Sequence, residues 1–252
     1  MKISIITCSY NAVDTIEETI KSVLFQNYAD IEYIIIDGLS NDGTIDIIKN
    51  YADKIYKFES EKDSGIYNAM NKGIKSAGGD IVGFLNADDV YFSEKVINKV
   101  IKVFESEKVD SVYGDLIYVF EDNNKIKRHW KSGDYNINNF KKGWMPPHPS
   151  FFVKSDVYEK YGGFNENYKI SADYELMVRL LYKNKISTFY LPEILVKMKT
   201  GGISNKISQT FKRLKEDYDI MKKYNLSGFA GELGVMFKKR FYKINQYFNK
   251  KL

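Results

Sequence analysis

Short apolar runs alternate with amphipathic stretches along the first half of the chain. The apolar runs predict strands at 3–7, 31–36, 54–59 and 80–85. The stretches between them predict helices at 14–26, after Thr44, at 66–76 and from about Ser93. Strands and helices in this order form mostly parallel sheets covered on both faces. We therefore expect an α/β fold whose polar loops meet at one sheet edge, where open α/β sheets bind ligands.

The second half of the chain is richer in strand patterns. These patterns predict strands at 111–120, 125–130 and 150–154, and helices at 155–161 and from about Asp173. A proline-bounded loop with Trp144 and His148 precedes the third of these strands. We expect this half to supply a second binding surface.

Composition indicates a globular protein without a membrane span. A chain of 252 residues with 44% hydrophobic content can bury a substantial core. Its apolar runs are far shorter than the roughly 20 residues needed to cross a bilayer, and residues 1–10 lack the features of a signal peptide. We expect a cytoplasmic location. Cys8 is the only cysteine, which excludes an intramolecular disulfide and a cysteine metal cluster.

Positive charge is concentrated at the end of the chain. Residues 201–252 carry a net charge of +8, whereas the first 200 residues carry −3. A basic tail on a mildly acidic body argues against nucleic-acid binding and favours a local anionic contact, such as the inner leaflet of a membrane. Aromatic residues recur at helical spacing in 237–252, so this segment is expected either to lie on a membrane surface or to pack on the protein or a second copy. Assembly into a homo-oligomer is a further alternative.

Polar and acidic residues follow the strand predicted at 80–85. Asn86, Asp88 and Asp89 emerge at its carboxyl end. Carboxylates in this position hold Mg2+ or Mn2+ together with water and substrate phosphates. Alternatively, one aspartate caps the helix predicted from about Ser93. No GxGxxG or GxxxxGK[ST] motif follows the first strand, which argues against a dinucleotide-binding dehydrogenase and a P-loop NTPase.

Four segments in order resemble a known family. They are ISIITCSYN, IIIDGLSNDGT, EKDSGIYNAMNKGIKSAGGDIVGFLNADD and SADYELMVRLL, and they span about residues 1–200. Together they resemble the inverting family 2 glycosyltransferases, particularly bacterial members that build surface polysaccharides. The resemblance implies a GT-A fold, which is a Rossmann-like nucleotide-binding sheet with an acceptor-binding half and C-terminal helices. It implies a nucleotide-sugar-binding half at 1–110, an acceptor-binding half with the catalytic base at 111–205 and a basic helical extension at 206–252.

The same resemblance implies an activity. It is the metal-dependent transfer of one hexosyl or N-acetylhexosaminyl group from a nucleotide diphosphate sugar, foremost a UDP-sugar, to a hydroxyl of a glycan or lipid-linked glycan. The rival interpretation is a non-catalytic module of the same fold that binds a nucleotide sugar or a membrane surface, and Asn86 supports it as a departure from the usual acidic triplet. A sugar nucleotidyltransferase is disfavoured because the chain lacks a glycine-rich, basic N-terminal loop.

Donor-binding residues follow from the matched motifs. By resemblance, Asp37 would accept a hydrogen bond from the base, although a turn-forming role before Gly38 stays open. Asp63 would lie near the base or ribose, unless it caps the following helix. The remaining donor residues implied by the resemblance are Thr7, Tyr10 and Asn11 in the nucleotide pocket and Asn86, Ala87 and Asp88 at the DXD position, with Asp88 as the ligand of Mn2+ or Mg2+.

Acceptor-side residues follow from the last motif. Asp173 matches the base that removes the acceptor proton, or is a structural residue in the first helical turn. Glu175 is a weaker alternative base, because two residues along a helix it should face elsewhere. His148 either contacts metal, diphosphate or acceptor or is a buried loop histidine, and Trp144 either stacks on a sugar or packs in the core. The loop 199–204 resembles a segment that closes over the donor.

Overall fold

The computed structural model describes residues 1–120, 125–200 and 207–226. In this part of the chain the strands are β1 (Ile3–Ser9), β2 (Ile31–Asp37), β3 (Lys57–Ser60), β4 (Ile81–Phe84), β5 (Asp89–Tyr91), β6 (Ser111–Phe120), β7 (Ile126–Trp130), β8 (Phe151–Lys154) and β9 (Thr188–Thr200). The α-helices are α1 (Ile16–Leu24), α2 (Thr44–Lys49), α3 (Ile66–Ser76), α4 (Val96–Glu107), α5 (Ser155–Tyr161), α6 (Ala172–Met177) and α7 (Ile207–Lys223).

The strands form one sheet in the order β3-β2-β1-β4-β8-β6-β9-β5, with β7 beside β6. The first four strands are parallel to one another, as predicted. β8 is antiparallel to both β4 and β6, so β6 runs in the same direction as β4. Ser9 is level with Asp37 and Ile6 with Phe84, so β1, β2 and β4 end at one edge of the sheet. Their loops therefore share that edge.

Apolar side chains cover both faces of the sheet. One face buries Ile3 and Ile5 of β1 under α1 and α4, and the other buries Ile6 under α3, α5, α6 and α7. This division follows from the alternation of side chains along a strand. It places α3, α6 and α7 side by side on one face, which brings residues far apart in sequence close to the same sheet edge.

Local sequence patterns predicted most of the helices and strands. The remaining ones depend on pairing between segments that are distant in the sequence. The helix predicted at 66–76 is confirmed as α3. β3 begins at Lys57, because Ala52–Lys54 form a 3-10 turn. The alternative in which Asp88 or Asp89 caps the following helix is wrong: Asp89 begins β5, which pairs with β9, and α4 starts only at Val96.

The two predicted halves share one sheet, because β8 connects β4 to β6 across residue 110. α7 lies in the predicted extension 206–252. The predictions for 201–204 and for 237–252 fall outside the described residues. Among the helices that are described, none is long and apolar enough to span a membrane.

Candidate active site

Asp37 ties together the loops that follow β1, β2 and β3. Its side chain is fully buried, and its carboxylate accepts hydrogen bonds from the hydroxyls of Ser9 (2.8 Å), Ser40 (2.6 Å) and Ser60 (2.8 Å) and from the Ser40 amide (2.9 Å). A carboxylate has about four acceptor positions. All four are in use, so in this conformation Asp37 holds the loops and has no acceptor position left for a base.

Thr7 and Asn11 also form hydrogen bonds with other residues of this region. Thr7, which was predicted to line the nucleotide pocket, is fully buried, and its hydroxyl accepts a hydrogen bond from Tyr33 at 3.1 Å. In this structure it therefore does not lie on an open surface. Asn11 adopts a left-handed φ of 48°, which Asn tolerates better than most residues. Its amide donates to Ser40 Oγ (2.8 Å), and its Oδ1 accepts from the Asn41 amide (3.0 Å). Asn11 therefore joins the loops after β1 and β2.

Tyr10, Gly38 and Asp63 form the open part of this edge. Tyr10 is 60% exposed. A Cβ placed on Gly38 would lie 2.8 Å from Oδ2 of Asp63 and 3.3 Å from the Tyr10 ring, so these side chains approach the glycine closely. Oδ1 of Asp63 accepts a hydrogen bond from the Gly65 amide at 2.9 Å. No residue within 1–120, 125–200 or 207–226 donates a hydrogen bond to Oδ2 of Asp63. The alternative in which Asp63 caps the following helix is wrong, because Gly65 occupies the N-cap position of α3. Oδ2 of Asp63 is instead directed at the gap over Gly38.

The Asn86–Asp89 turn separates the two aspartates that follow β4. Asp89 is fully buried and receives a 2.8 Å hydrogen bond from the Asn86 amide group. Burial, and next the neighbouring Asp88 carboxylate, raise the pKa of Asp89 well above its usual range. Ala87 is buried in the core, while Asn86 and Asp88 are half-buried at the edge. The edge therefore presents one carboxylate, Asp88, where the sequence suggested two.

The residues at this edge fit a divalent cation only if a substrate completes its shell. The described ranges contain no cluster of three or more His, Cys, Asp or Glu that could hold a metal by itself. Mg2+ is commonly bound by one or two carboxylates together with water and substrate phosphates. Asp88 with the neighbouring amide of Asn86 meets that lower requirement.

His148 is buried close to the same edge. It is 7% exposed, and its ring packs 5.3 Å from the rings of both Phe84, the last residue of β4, and Phe164. Burial lowers its pKa from 6.5 to about 4, so the imidazole is neutral at physiological pH. Nε2 has no hydrogen-bond partner in the part of the chain that the structure describes. A neutral imidazole with an unpaired nitrogen is suited to binding a ligand or a metal.

The lowered pKa makes His148 a source of acid sensitivity. The unfolded state takes up a proton near pH 6.5, whereas the folded state takes it up only near pH 4. His148 therefore lowers the free energy of unfolding as the pH falls from 6.5 to 4, by at most about 3 kcal/mol. Denaturant unfolding should show a weaker pH dependence in this window for both His148→Gln and His148→Phe. Curves parallel to wild type would contradict this assignment.

Trp144 packs in the core. It is 1% exposed, contacts the rings of Tyr113, Tyr135 and Phe140, and donates its indole N–H to the Ser132 carbonyl at 2.7 Å. Its ring offers no exposed face for stacking on a sugar. The structure therefore gives Trp144 the packing role that the sequence left as an alternative.

Asp173 lies half-buried in the first turn of α6, next to Tyr67 of α3. The Tyr67 hydroxyl donates to the Ile170 carbonyl at 2.8 Å and approaches Oδ1 of Asp173 at 3.3 Å. Burial, and then the Asp173 charge, raise the pKa of Tyr67 well above its usual range, so the phenol remains a donor. Ser171 occupies the N-cap position without a side-chain cap bond. A carboxylate supported by a neutral donor is a reasonable general base.

Glu175 is unavailable as an alternative base. It is 1% exposed and pairs with Arg179 of the following π-helical turn and with Lys223 of α7, and it also accepts a hydrogen bond from Tyr224. These contacts hold α6 against the end of α7. The expectation that Glu175 faces away from the site agrees with its position.

Aromatic rings connect the Asp173 region to the end of β4. Tyr67 stacks on Phe164 at 5.5 Å, and Phe164 contacts both Phe84 and His148. Sequence reasoning did not identify Tyr67 or Phe164 as part of this region. Tyr67 lies in a matched motif, which was an available signal, whereas Phe164 resembles an ordinary loop residue.

Comparison with known proteins identifies the family of this chain. The chain belongs to glycosyl transferase family 2, whose family model matches residues 4–170. An uncharacterized glycosyltransferase of Mycobacterium tuberculosis is 27% identical over 251 residues, which cover 98% of this chain and 94% of that protein. The predicted family is confirmed.

Solved structures confirm the GT-A fold. Residues 1–349 of S. aureus TarS, in complex with UDP-GlcNAc, match with a TM-score of 0.70 at 16% identity, covering 100% of this chain and 74% of that one. The match to the longer TarS structure covers 44% of that chain. The mannosyltransferase PcManGT from Pyrobaculum calidifontis, in complex with GDP-Man and Mn2+, matches with a TM-score of 0.66 at 16% identity, covering 100% of this chain and 76% of that one.

Proposed function

We propose that this glycosyltransferase moves one hexosyl or N-acetylhexosaminyl group from a nucleotide diphosphate sugar, foremost a UDP-sugar, to a hydroxyl of a glycan or lipid-linked glycan. The proposal includes inversion at the sugar carbon and a role in bacterial surface polysaccharide synthesis. The observation that carries it is the placement of Asp88, Asp63 and Asp173 in the loops and the helix start around one sheet edge.

The nucleotide would bind over Gly38. Oδ2 of Asp63 faces this gap, and an acceptor oxygen pairs with the imide N–H of uracil or thymine or with the ring N–H of guanine. The exposed Tyr10 ring offers a stacking surface beside it. This assignment transfers the base contact from Asp37, whose acceptor positions are filled, to Asp63. TarS was solved with UDP-GlcNAc and PcManGT with GDP-Man, and both nucleotides carry such an N–H.

Asp88 would hold Mn2+ or Mg2+ against the diphosphate, with Asn86 beside it. When bound, the ion would stabilise the negative charge that develops on the departing nucleotide diphosphate. The neighbour PcManGT was solved with Mn2+. His148 lies near this end of β4 and could supply its unpaired nitrogen to the diphosphate, the metal or the acceptor.

Asp173 would act as the base. Its carboxylate would take the proton of the acceptor hydroxyl while the oxygen forms a bond to the sugar carbon and the bond from that carbon to the diphosphate oxygen breaks. Tyr67, whose single O–H is shared between the Ile170 carbonyl and this carboxylate, would help to keep the carboxylate in place. The products are the glycosylated acceptor and the free nucleotide diphosphate.

Asp63→Asn tests the donor side of the proposal. Asn can keep the bond to the Gly65 amide through its oxygen, but it turns an NH2 group toward the base. We expect the affinity for UDP or GDP to fall about tenfold or more. Calorimetric titration of UDP, GDP, CDP and ADP would measure it, and wild type should prefer the first two because CDP and ADP lack the ring N–H.

Asp53→Asn, in the 3-10 turn before β3, is the matched control and should bind like wild type. Equal affinity of wild type and Asp63→Asn for every nucleotide would remove Asp63 from the donor site. No binding of any nucleotide by wild type would contradict the proposed function.

A further inference from the structure

We infer that Glu216 is a positioning residue for the base, because it holds the backbone that leads into the helix carrying Asp173. The inference rests on the proposed function, in which Asp173 removes the acceptor proton. Glu216 lies on α7, about 40 residues along the chain from Asp173. It is 8% exposed, so its charge is buried where α7 packs against the segment that precedes α6.

The Glu216 carboxylate accepts hydrogen bonds from three consecutive backbone amides. Oε1 accepts the Lys169 N–H at 3.0 Å, and Oε2 accepts the N–H groups of Ile170 and Ser171, each at 2.9 Å. Hydrogen bonds to an ionised acceptor are about twice as strong as neutral ones. Only Ala172 separates this anchored backbone from Asp173.

Tyr67 holds the same segment from the other side. Its hydroxyl donates to the Ile170 carbonyl, so the amide of Ile170 is bound by α7 and its carbonyl by α3. The same hydroxyl lies 3.3 Å from Oδ1 of Asp173. A backbone shift at Ile170 would therefore change both the position of Asp173 and its contact with Tyr67.

The contacts require an acceptor with two oxygens. Gln would present one oxygen and one NH2 group to three N–H donors, so at least one amide would lose its partner. Asp would keep both oxygens but would withdraw them by one methylene group. A displacement of about 1 Å at a reacting group can cost about a hundredfold in rate.

A second contact of α7, with α6 itself, allows two roles of Glu216 to be distinguished. In one role Glu216 positions the base, and in the other it only attaches α7 to the rest of the protein. Lys223, also on α7, pairs with the buried Glu175 of α6 at 3.3 Å. Its ammonium lies 5.9 Å from the centre of the Tyr168 ring, but within the described residues it donates no hydrogen bond to 169–171. If Glu216 only attached α7 to the protein, Glu216→Gln and Lys223→Met would have similar effects. If Glu216 positions the base, only its substitution should slow the reaction.

The test measures kcat and the donor KM, thermal stability, and amide hydrogen exchange in wild type, Glu216→Gln, Glu216→Asp and Lys223→Met. At a temperature where all four are folded, we expect Glu216→Gln to lower kcat about 10- to 100-fold with little change in donor KM. Exchange in the peptide containing 169–171 should accelerate. Glu216→Asp should have a kcat between those of Glu216→Gln and wild type. If the Gln variant does not fold, the Asp variant is compared with Lys223→Met in its place. Lys223→Met should lower Tm with kcat unchanged.

The outcomes separate the inference from the function on which it rests. A wild-type kcat in Glu216→Gln, or a loss matched by Lys223→Met, would overturn the positioning role while leaving the transferase intact. The absence of wild-type turnover with every nucleotide sugar would overturn the proposed function and this inference with it.

Discussion

Asp173→Asn is expected to reduce sugar transfer about 100- to 10,000-fold, the usual contribution of a general base. Asn has nearly the same shape, and its oxygen can still accept from Tyr67, so the start of α6 should keep its conformation. It cannot accept the proton of the acceptor hydroxyl. Donor affinity should be unchanged, because the proposed nucleotide site lies at Tyr10, Gly38 and Asp63. Steady-state kinetics and donor titration measure the two effects separately.

Asp46→Asn is the matched control for this substitution. Asp46 is an exposed aspartate in the first turn of α2, a six-residue helix like α6. Its replacement should leave kcat unchanged. If Asp173→Asn retained wild-type kcat, or lost donor binding together with kcat, Asp173 would not be the base.

Asp88→Asn should abolish the advantage that a divalent cation gives to the reaction. Because Asp88 is the one carboxylate that the Asn86–Asp89 turn presents at the edge, its loss removes the proposed protein ligand. We expect a fall in turnover of about a hundredfold or more, which corresponds to several kcal/mol of charge stabilisation. Titration of Mn2+ against the rate of nucleotide release should show weaker activation in the variant.

Asp80→Asn provides the comparison at the opposite end of β4. Asp80 accepts the Lys2 amide at 2.8 Å, away from the proposed site. Its substitution should preserve the dependence on Mn2+. An Asp88→Asn variant with wild-type response to Mn2+ would exclude Asp88 as the metal ligand.

The fold was largely predictable because its N-terminal half is built from local signals. The strand and helix periods mark β1, β2, β4 and α3 with little error. β5 was missed because three residues, Asp89–Tyr91, become a strand only by pairing with β9, more than 100 residues later. A local pattern carries no information about such a partner.

The candidate site was predictable as a set of motifs but not as a set of contacts. Asp37 and Asp63 both lie in matched motifs. Only the structure shows that Asp37 accepts hydrogen bonds from serines at the ends of β1 and β3 and in the loop after β2, while Oδ2 of Asp63 receives none in the described part of the chain. Asp88 and Asp89 are adjacent in sequence, yet the turn buries one and presents the other. Glu216 gives no signal, since its partners are backbone amides of a distant loop.

As a glycosyltransferase of the proposed kind, the chain consumes a nucleotide diphosphate sugar. The most direct measurement is nucleotide release by the wild-type protein from a panel of UDP-, GDP- and dTDP-sugars with Mn2+, since many transferases slowly hydrolyse their donor without an acceptor. We expect nucleotide release from one donor, and we expect Asp88→Asn to lose that release. No release from any donor, together with no thermal stabilisation by any of them, would contradict it and favour a non-catalytic module of the same fold.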